Sequence, residues 1–500
     1  MLSTSLFFLV LFALVRAQDD NDSTDPAALP VVTVNVSTSQ TYQTISGFGI
    51  SQAFNRAASI YHLPNATQSK ILDLLFDDSV GAGLTILRNG VGSSNSTALD
   101  YMLSIEPNPP STSISNGTAT YAWNGNDSSQ VWLSQQAQKY GVQTFYASAW
   151  SAPWYMKSNE NDQDGGYLCG VTGTKCGTGD WRQHFANYLV QYLREYQDAG
   201  INVTHLGFLN EPDISPSYAG MRSNGSQAVD FLKILAPTLQ SSNFSHVKLV
   251  CCDNTGWSIA GATLSELQSA SGEKYLSVYS AHGYSAAPTD PLKTSLPVWQ
   301  TEWSDLTTPF TALWDSAVNT TDDDTGDVTT TDGTEVDGFV WATNIQDSLV
   351  KANVSAFLHW MGAEESSGSD MLIRINSTTN SYTVSKRLWA FAHFGRYVKP
   401  DSRRIYANSS AAWEDFSVSA FESANVGRSG IKSIAVQVIN KGWANVTVSM
   451  RVEGAREGGV VLPVTTNEGV DVGSGEYLAV WEGLVNATVP ARSLMSFVFS

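Results

Sequence analysis

Two stretches of the 500-residue chain each close an apolar run with a glutamate. In HLGFLNEPD, His205 to Asp213, the run Leu206 to Leu209 leads into Asn210, Glu211 and Pro212. In LPVWQTEWSD, Leu296 to Asp305, the run leads into Glu302 and Trp303. A charged group at the end of a core strand is costly unless it is solvated, paired or used. A single glutamate in such a place is ordinarily a solvated rim residue. Two of them, 91 residues apart and each behind its own apolar run, form a more specific pattern. Carboxyls delivered by different strands to one face are what glycosidic hydrolysis uses. One acts as an acid toward the leaving oxygen and the other acts at the anomeric carbon. Other hydrolytic or phosphate chemistry finds no support, since the chain holds no Gly-x-Ser-x-Gly elbow, His-Glu-x-x-His or Walker loop.

The elements that would position these groups recur along the chain. Between about Ile45 and His393, short apolar runs end at Gly49, Asn89, Ala149, Asn210, Asp253, His282, Glu302 and Trp360. Helical spacing separates several of them, over Ser69–Phe76, Val131–Tyr140, Trp181–Asp198, Ala228–Leu239 and Gly338–Lys351. Eight strand-then-helix units of this size predict an α/β fold, a (β/α)8 TIM barrel over residues 45–398. A doubly wound open sheet is the rival, but no glycine-rich phosphate loop follows an early strand. Residues 399–500 instead show short β-type runs such as IKSIAVQVIN, ANVTVSMRV and RSLMSFVF, which predict an attached antiparallel β-sandwich side domain. VVTVNVS, within residues 31–44, resembles these runs and is expected to join that sandwich. The polar insertion NTTDDDTGDVTTTDGT, Asn319 to Thr334, is expected to be an exposed loop.

In a barrel the strand C-termini build the site. Here those ends carry Arg88 and Asn89, Trp150, Asn210 and Glu211, His282 and Tyr284, Glu302 and Trp303, and Trp360.

Composition narrows the setting. A formal net charge of −19 would repel nucleic acid and anionic lipid, so neither is an expected partner. The opening MLSTSLFFLVLFALVRAQ reads as a secretory signal peptide over residues 1–17, followed by an acidic, disordered segment over 18–30. Fifteen Asn-x-Ser/Thr sequons, from Asn21 to Asn486, agree with a secreted, extracellular glycoprotein. Four cysteines suit an oxidising compartment. Cys169 and Cys176 bracket CGVTGTKC and are expected to form a disulfide. The adjacent Cys251 and Cys252 are expected to be buried free thiols, with a vicinal pair as the alternative and no zinc site. No metal or organic cofactor is indicated, and a monomer is expected.

GFGISQAF (Gly47 to Phe54), GFLNEPD, AHGY and QTEWSD together resemble family-30 glycoside hydrolases of clan A, and within that family the fungal secreted xylanases and glucuronoxylanases. The resemblance runs over essentially the whole mature chain. It implies that Glu211 is the general acid/base and Glu302 the nucleophile of a configuration-retaining cleavage of β-1,4-xylan or glucuronoxylan. Retention calls for carboxyls roughly 5–5.5 Å apart. Glu211 should then carry the raised pKa, and Arg88 should hold Glu302 ionised. Asn210 is placed to bond the sugar 2-hydroxyl. His282 and Tyr284 are placed to orient Glu302 or the sugar, unless His282 is a satisfied core histidine. Trp150, Trp154, Trp303 and Trp360 are either subsite platforms or core. Arg56, in the loop after the first strand, is either a receptor for a uronic acid branch or an ordinary ion-pair residue. Endo-β-1,6-galactanase or β-1,6-glucanase action is the alternative within the family. An inactive carbohydrate-binding glycoprotein is the alternative outside it.

Overall fold

The chain is described here by a computed structural model covering residues 29–96, 101–111, 114–321, 328–331, 336–426 and 432–499. The signal segment, nearly all of the acidic segment after it and much of the polar insertion lie outside the described residues. Within that insertion, Val318–Thr321 and Val328–Thr331 pair as a two-stranded antiparallel ladder.

Eight parallel strands close a barrel in chain order: Gly47–Ser51, Ile86–Val91, Thr144–Ala149, His205–Gly207, Lys248–Asn254, Val278–His282, Val298–Glu302 and Ala356–His359. They are short, apolar and buried along most of their length, as expected for a sheet covered on its outer face and filled within. A cluster of buried side chains fills the barrel from inside: Ile86, Tyr146, Val250, Val278, Trp299 and Ala356, with Leu358 one layer above Ala356. Alternation along each strand then sends the residue two further on into the next interior layer, where Arg88, Ser148, Ser280 and Thr301 sit. Gly207 is needed at its place, because a Cβ there would stand 2.5 Å from the Tyr146 hydroxyl.

Among the described residues, seven of the eight barrel strands are followed by a helix. The sixth strand is followed over residues 283–297 by none, so the expected eight strand-helix units are one helix short. The fourth strand also ends earlier than its sequence suggests, at Gly207. From Phe208 to Pro212 the backbone is irregular, and the Glu211 N–H donates to the Asp253 carbonyl at 2.8 Å. Pro212 therefore follows a bend already made rather than ending the ladder.

The second unit is a ten-stranded, mostly antiparallel sheet with its own apolar core. Strand Val31–Thr44 buries Val32, Val34 and Val36 on one face. It pairs antiparallel with Arg403–Ser409 and parallel with Val446–Val452, so the sheet is not purely antiparallel. Polar contacts fix it to the barrel helices. Gln346, on helix Gly338–Val350, bonds Ser417 and Ser419 at 2.8 and 3.0 Å. His393, on helix Arg387–Tyr397, bridges Ser496 and Thr466 at 2.6 and 2.8 Å. Among the described residues, no helix is long and apolar enough to cross a membrane.

Candidate active site

The two glutamates reach one point by different local devices. On the seventh strand, pairing with the sixth skips from Ala281–Gln300 to His282–Glu302. This bulge lets Thr301 and Glu302 both serve the barrel mouth, although successive residues of a regular strand face opposite ways. Thr301 donates to Asp253 Oδ1 at 2.7 Å. Glu211 arrives from the irregular segment with a φ of 48°, a left-handed conformation costly for glutamate and typical of side chains held for a task. Oxygens of the two carboxyls and a ring nitrogen of His282 all lie within 4.8 Å of one another.

Arg88 organises the floor. It is fully buried and donates to Glu302 Oε2, to Asn210 Oδ1 at 2.6 Å and to Asp253 Oδ2 at 2.9 Å. Its guanidinium stacks over Trp150 at 4.3 Å. Burial alone would strip its charge, but Glu302 and Asp253 hold it firmly cationic. Asp253 also accepts from Tyr146 at 2.8 Å. Burial would lift its carboxyl, yet Arg88 and His282 outweigh that and keep it well below the usual carboxylate range.

His282 sits between the acids, with Nδ1 3.2 Å from Glu211 Oε1 and 3.8 Å from Glu302 Oε1. Burial works against a charge on this ring, but Glu302, Asp253 and Glu211 raise its pKa to about 10, so it is an imidazolium at neutral pH. The trio Glu211, His282 and Glu302 has the ligand atoms to hold a divalent cation, for which the ring would have to give up its proton. The arrangement suits proton chemistry instead. Tyr284 donates to Glu302 Oε1 at 3.0 Å, and Tyr218 donates to Glu211 Oε2 at 2.6 Å. Both phenols are pushed well above their ordinary range by burial and the facing carboxylates, so they remain donors.

Glu302 itself is lifted by burial and by the charge of Glu211, against the pull of His282 and Arg88. Sequence reasoning had placed the upward shift on Glu211. The structure puts clear upward pressure on Glu302, whose buried carboxyl also faces the charge of Glu211.

The carboxyls open into a cavity of about 240 Å³. Trp150 and Trp360 line it with Phe54, which meets their rings edge-on at 5.1 and 6.1 Å. Arg56 lines it too, paired with Glu364 at 3.0 Å. A larger cavity of about 540 Å³ lies at the opposite mouth of the barrel, among Thr144, His205, Lys248 and Val278, and reaches none of these acids.

Three expected site residues are not brought to the cleft. Asn89 points into the helix layer, donating to Ser134 at 2.9 Å, because it alternates with the inward Arg88. Trp303 packs outside the barrel against Trp341 and Phe357, at 5.3 and 6.2 Å. Trp154 lies edge-on to Tyr155 at 5.6 Å in the loop after the third strand, off the cavity wall. Cys169 and Cys176 form a disulfide that closes that same loop. Cys251 and Cys252 are bonded to each other rather than free, their cis peptide bringing the Cα atoms to 3.0 Å. Sequence reasoning missed Tyr218, Phe54, Glu364 and Asp370, all in irregular segments or short elements without periodicity. Asp253 was read only as a run's end, although the run KLVCCDN itself marked the place.

A closed barrel whose mouth holds two facing glutamates, an arginine and an imidazolium, with aromatic walls, defines a glycosidase. Residues 45–298 match the glycosyl hydrolase family 30 TIM-barrel domain, and the chain belongs to that family. It is 39% identical to the catalytic domain of the family-30 xylanase C from Talaromyces cellulolyticus, with a TM-score of 0.83 and coverage of 94% of this chain and 100% of that one. It is 28% identical over 265 residues to putative glucosylceramidase 2 of Caenorhabditis elegans, covering 51% of this chain and 49% of the relative. An endo-1,6-beta-D-glucanase of Neurospora crassa is 26% identical over 181 residues, 36% of each chain. The chain spans about half the length of the first curated relatives it matches.

Proposed function

We propose that the protein is a retaining xylanase that cleaves β-1,4-xylan by double displacement, with Glu302 as nucleophile and Glu211 as acid/base. The observation that carries the reading is the approach of an oxygen of each carboxyl to within 4.8 Å, nearer the roughly 5–5.5 Å spacing of retaining enzymes than the roughly 6.5–9.5 Å of inverting ones. Arg88 and Tyr284 bond Glu302 directly and favour its anion, the state a nucleophile needs, while Glu211 faces it from the other side of the cleft beside Tyr218. Asn210 keeps a buried Nδ2 without a partner, suited to the sugar 2-hydroxyl. Trp150, Trp360 and Phe54 offer apolar faces for sugar rings. Xylan is favoured by the 39% identity with a xylanase across 94% of the chain. The relatives named as 1,6-glucanases support β-1,6-glucan as the second reading, since loops rather than the carboxyls select the polymer.

We also propose that the chain is exported and glycosylated and acts as a monomer. Of thirteen sequon asparagines with described surroundings, all but the half-buried Asn353 are exposed. Reducing-end release from xylan, glucuronoxylan, β-1,6-galactan and β-1,6-glucan decides the substrate. Proton NMR of the first product should show the β anomer, and an initial α anomer overturns retention. A mass drop after enzymatic deglycosylation of secreted protein checks the glycans.

A further inference from the structure

Beyond the catalytic pair, the cleft wall carries a second set of charges. Arg56 opens the short helix Arg56–Tyr61 and donates from Nε to Glu364 Oε1 at 3.0 Å and from Nη1 to the Phe54 carbonyl at 2.9 Å. The helix packs on strand Ala363–Glu364. The two side chains are only 12% and 5% exposed, so the ion pair forms away from bulk water. Glu364 Oε2 is buried without a hydrogen-bond partner. Asp370 lines the same cavity as Arg56, Glu211 and Glu302.

The remaining charges around this cluster are committed elsewhere. Arg387 donates to the carbonyls of Val336 and Met371, and Arg374, beside Glu364 in the register of the next strand, lies over the Phe310 ring. Neither lines the cavity. The wall therefore presents three carboxyls and one guanidinium, and that guanidinium already holds a fourth carboxyl.

We propose that Glu364, which holds Arg56 in an ion pair, and Asp370, whose carboxyl lines the cavity, are specificity-determining residues that select an uncharged sugar over a uronate at this wall. The inference rests on the cleft being a xylan site. A uronate drawn to Arg56 must displace Glu364 or enter beside it, where it meets Asp370 and the catalytic acids. Proton uptake by the acid pair relieves that repulsion. Burial, with Asp370 adding to it and Arg56 opposing, lifts the Glu364 carboxyl to about 7, and burial lifts Asp370 as well. A bound anion favours the protonated pair, so relative affinity for uronate is higher below about pH 7 and falls as pH rises through it.

The test is calorimetric titration of the full chain carrying Glu302→Gln, between pH 5 and 8. The ligands are a linear xylo-oligosaccharide and the same oligosaccharide with one glucuronate branch. The branched-to-linear affinity ratio should rise by about tenfold from pH 8 to pH 6. Adding Glu364→Gln, or Asp370→Asn should the first variant unfold, should raise the ratio at pH 8 and flatten its pH dependence. Binding of both ligands at a ratio insensitive to pH and to these substitutions overturns the inference alone, as does preference for the branched ligand at pH 8. Failure of both ligands to bind overturns the xylan reading and this inference with it.

Discussion

Each of the two glutamates has its own phenol, Tyr218 on Glu211 and Tyr284 on Glu302, but only Glu302 also takes the Arg88 guanidinium, and this asymmetry makes their roles separable. Glu211→Ala should lower activity on a polymer by about 10²–10⁴-fold, the usual contribution of a positioned acid. It should lower cleavage of an aryl glycoside with an activated leaving group far less, because that group needs no proton. Glu302→Ala should abolish both, and steady-state rates on the two substrates distinguish the cases. Asp253→Asn leaves Arg88 and the imidazolium undercompensated, and breaking such a buried pair costs about 3–5 kcal/mol. A denaturant-midpoint shift of that size is expected. The imidazolium adds a pH dependence of its own. A ring whose pKa rises from 6.5 to about 10 on folding contributes stability that is complete below pH 6.5 and is lost as pH approaches 10. Thermal unfolding temperature should fall between pH 7 and 9, and His282→Gln should flatten that fall.

At the scale of elements, what could be read in the sequence followed period. The strands carrying Arg88, His282 and Glu302 announced themselves as apolar runs, so the barrel and its acids were legible. The same period, applied strictly, excludes Asn89 once Arg88 is inside, since neighbours on a regular strand face opposite ways. The bulge at Thr301 escapes that rule, and no pattern of residue types reveals it. Tyr218, Glu364 and Asp370 reach the cleft from segments too short or irregular to carry a period. The bond between Cys251 and Cys252 was legible only as the alternative to free thiols, because adjacency permits such a bond without requiring it. The loop closed by Cys169 and Cys176 is a local element with a local effect. Replacing both by serine should cost about 2–3 kcal/mol on the chain-entropy account, visible as a lowered unfolding midpoint.

For the whole molecule, the polar seams between the units matter as much as the apolar cores. Helices Gly338–Val350 and Arg387–Tyr397 present Gln346 and His393 to the sheet, and Trp314 donates to the Arg492 carbonyl at 2.8 Å. A barrel produced without residues 31–44 and 403–499 would expose these buried groups and the apolar face beside them. It should be insoluble or unfolded, which expression yield and far-ultraviolet circular dichroism will show; a soluble, active barrel would contradict this interdependence.

The strand Val31–Thr44 is laid between two partners that lie more than 350 residues downstream. During synthesis it leaves the ribosome well before its partners and has no ladder to join until the last fifth of the chain is made. At roughly 5–20 residues per second that wait lasts on the order of 20–70 s. For all of it a valine-rich strand with two unpaired edges stays open to the wrong neighbour, so the nascent chain needs shelter long before the catalytic barrel does.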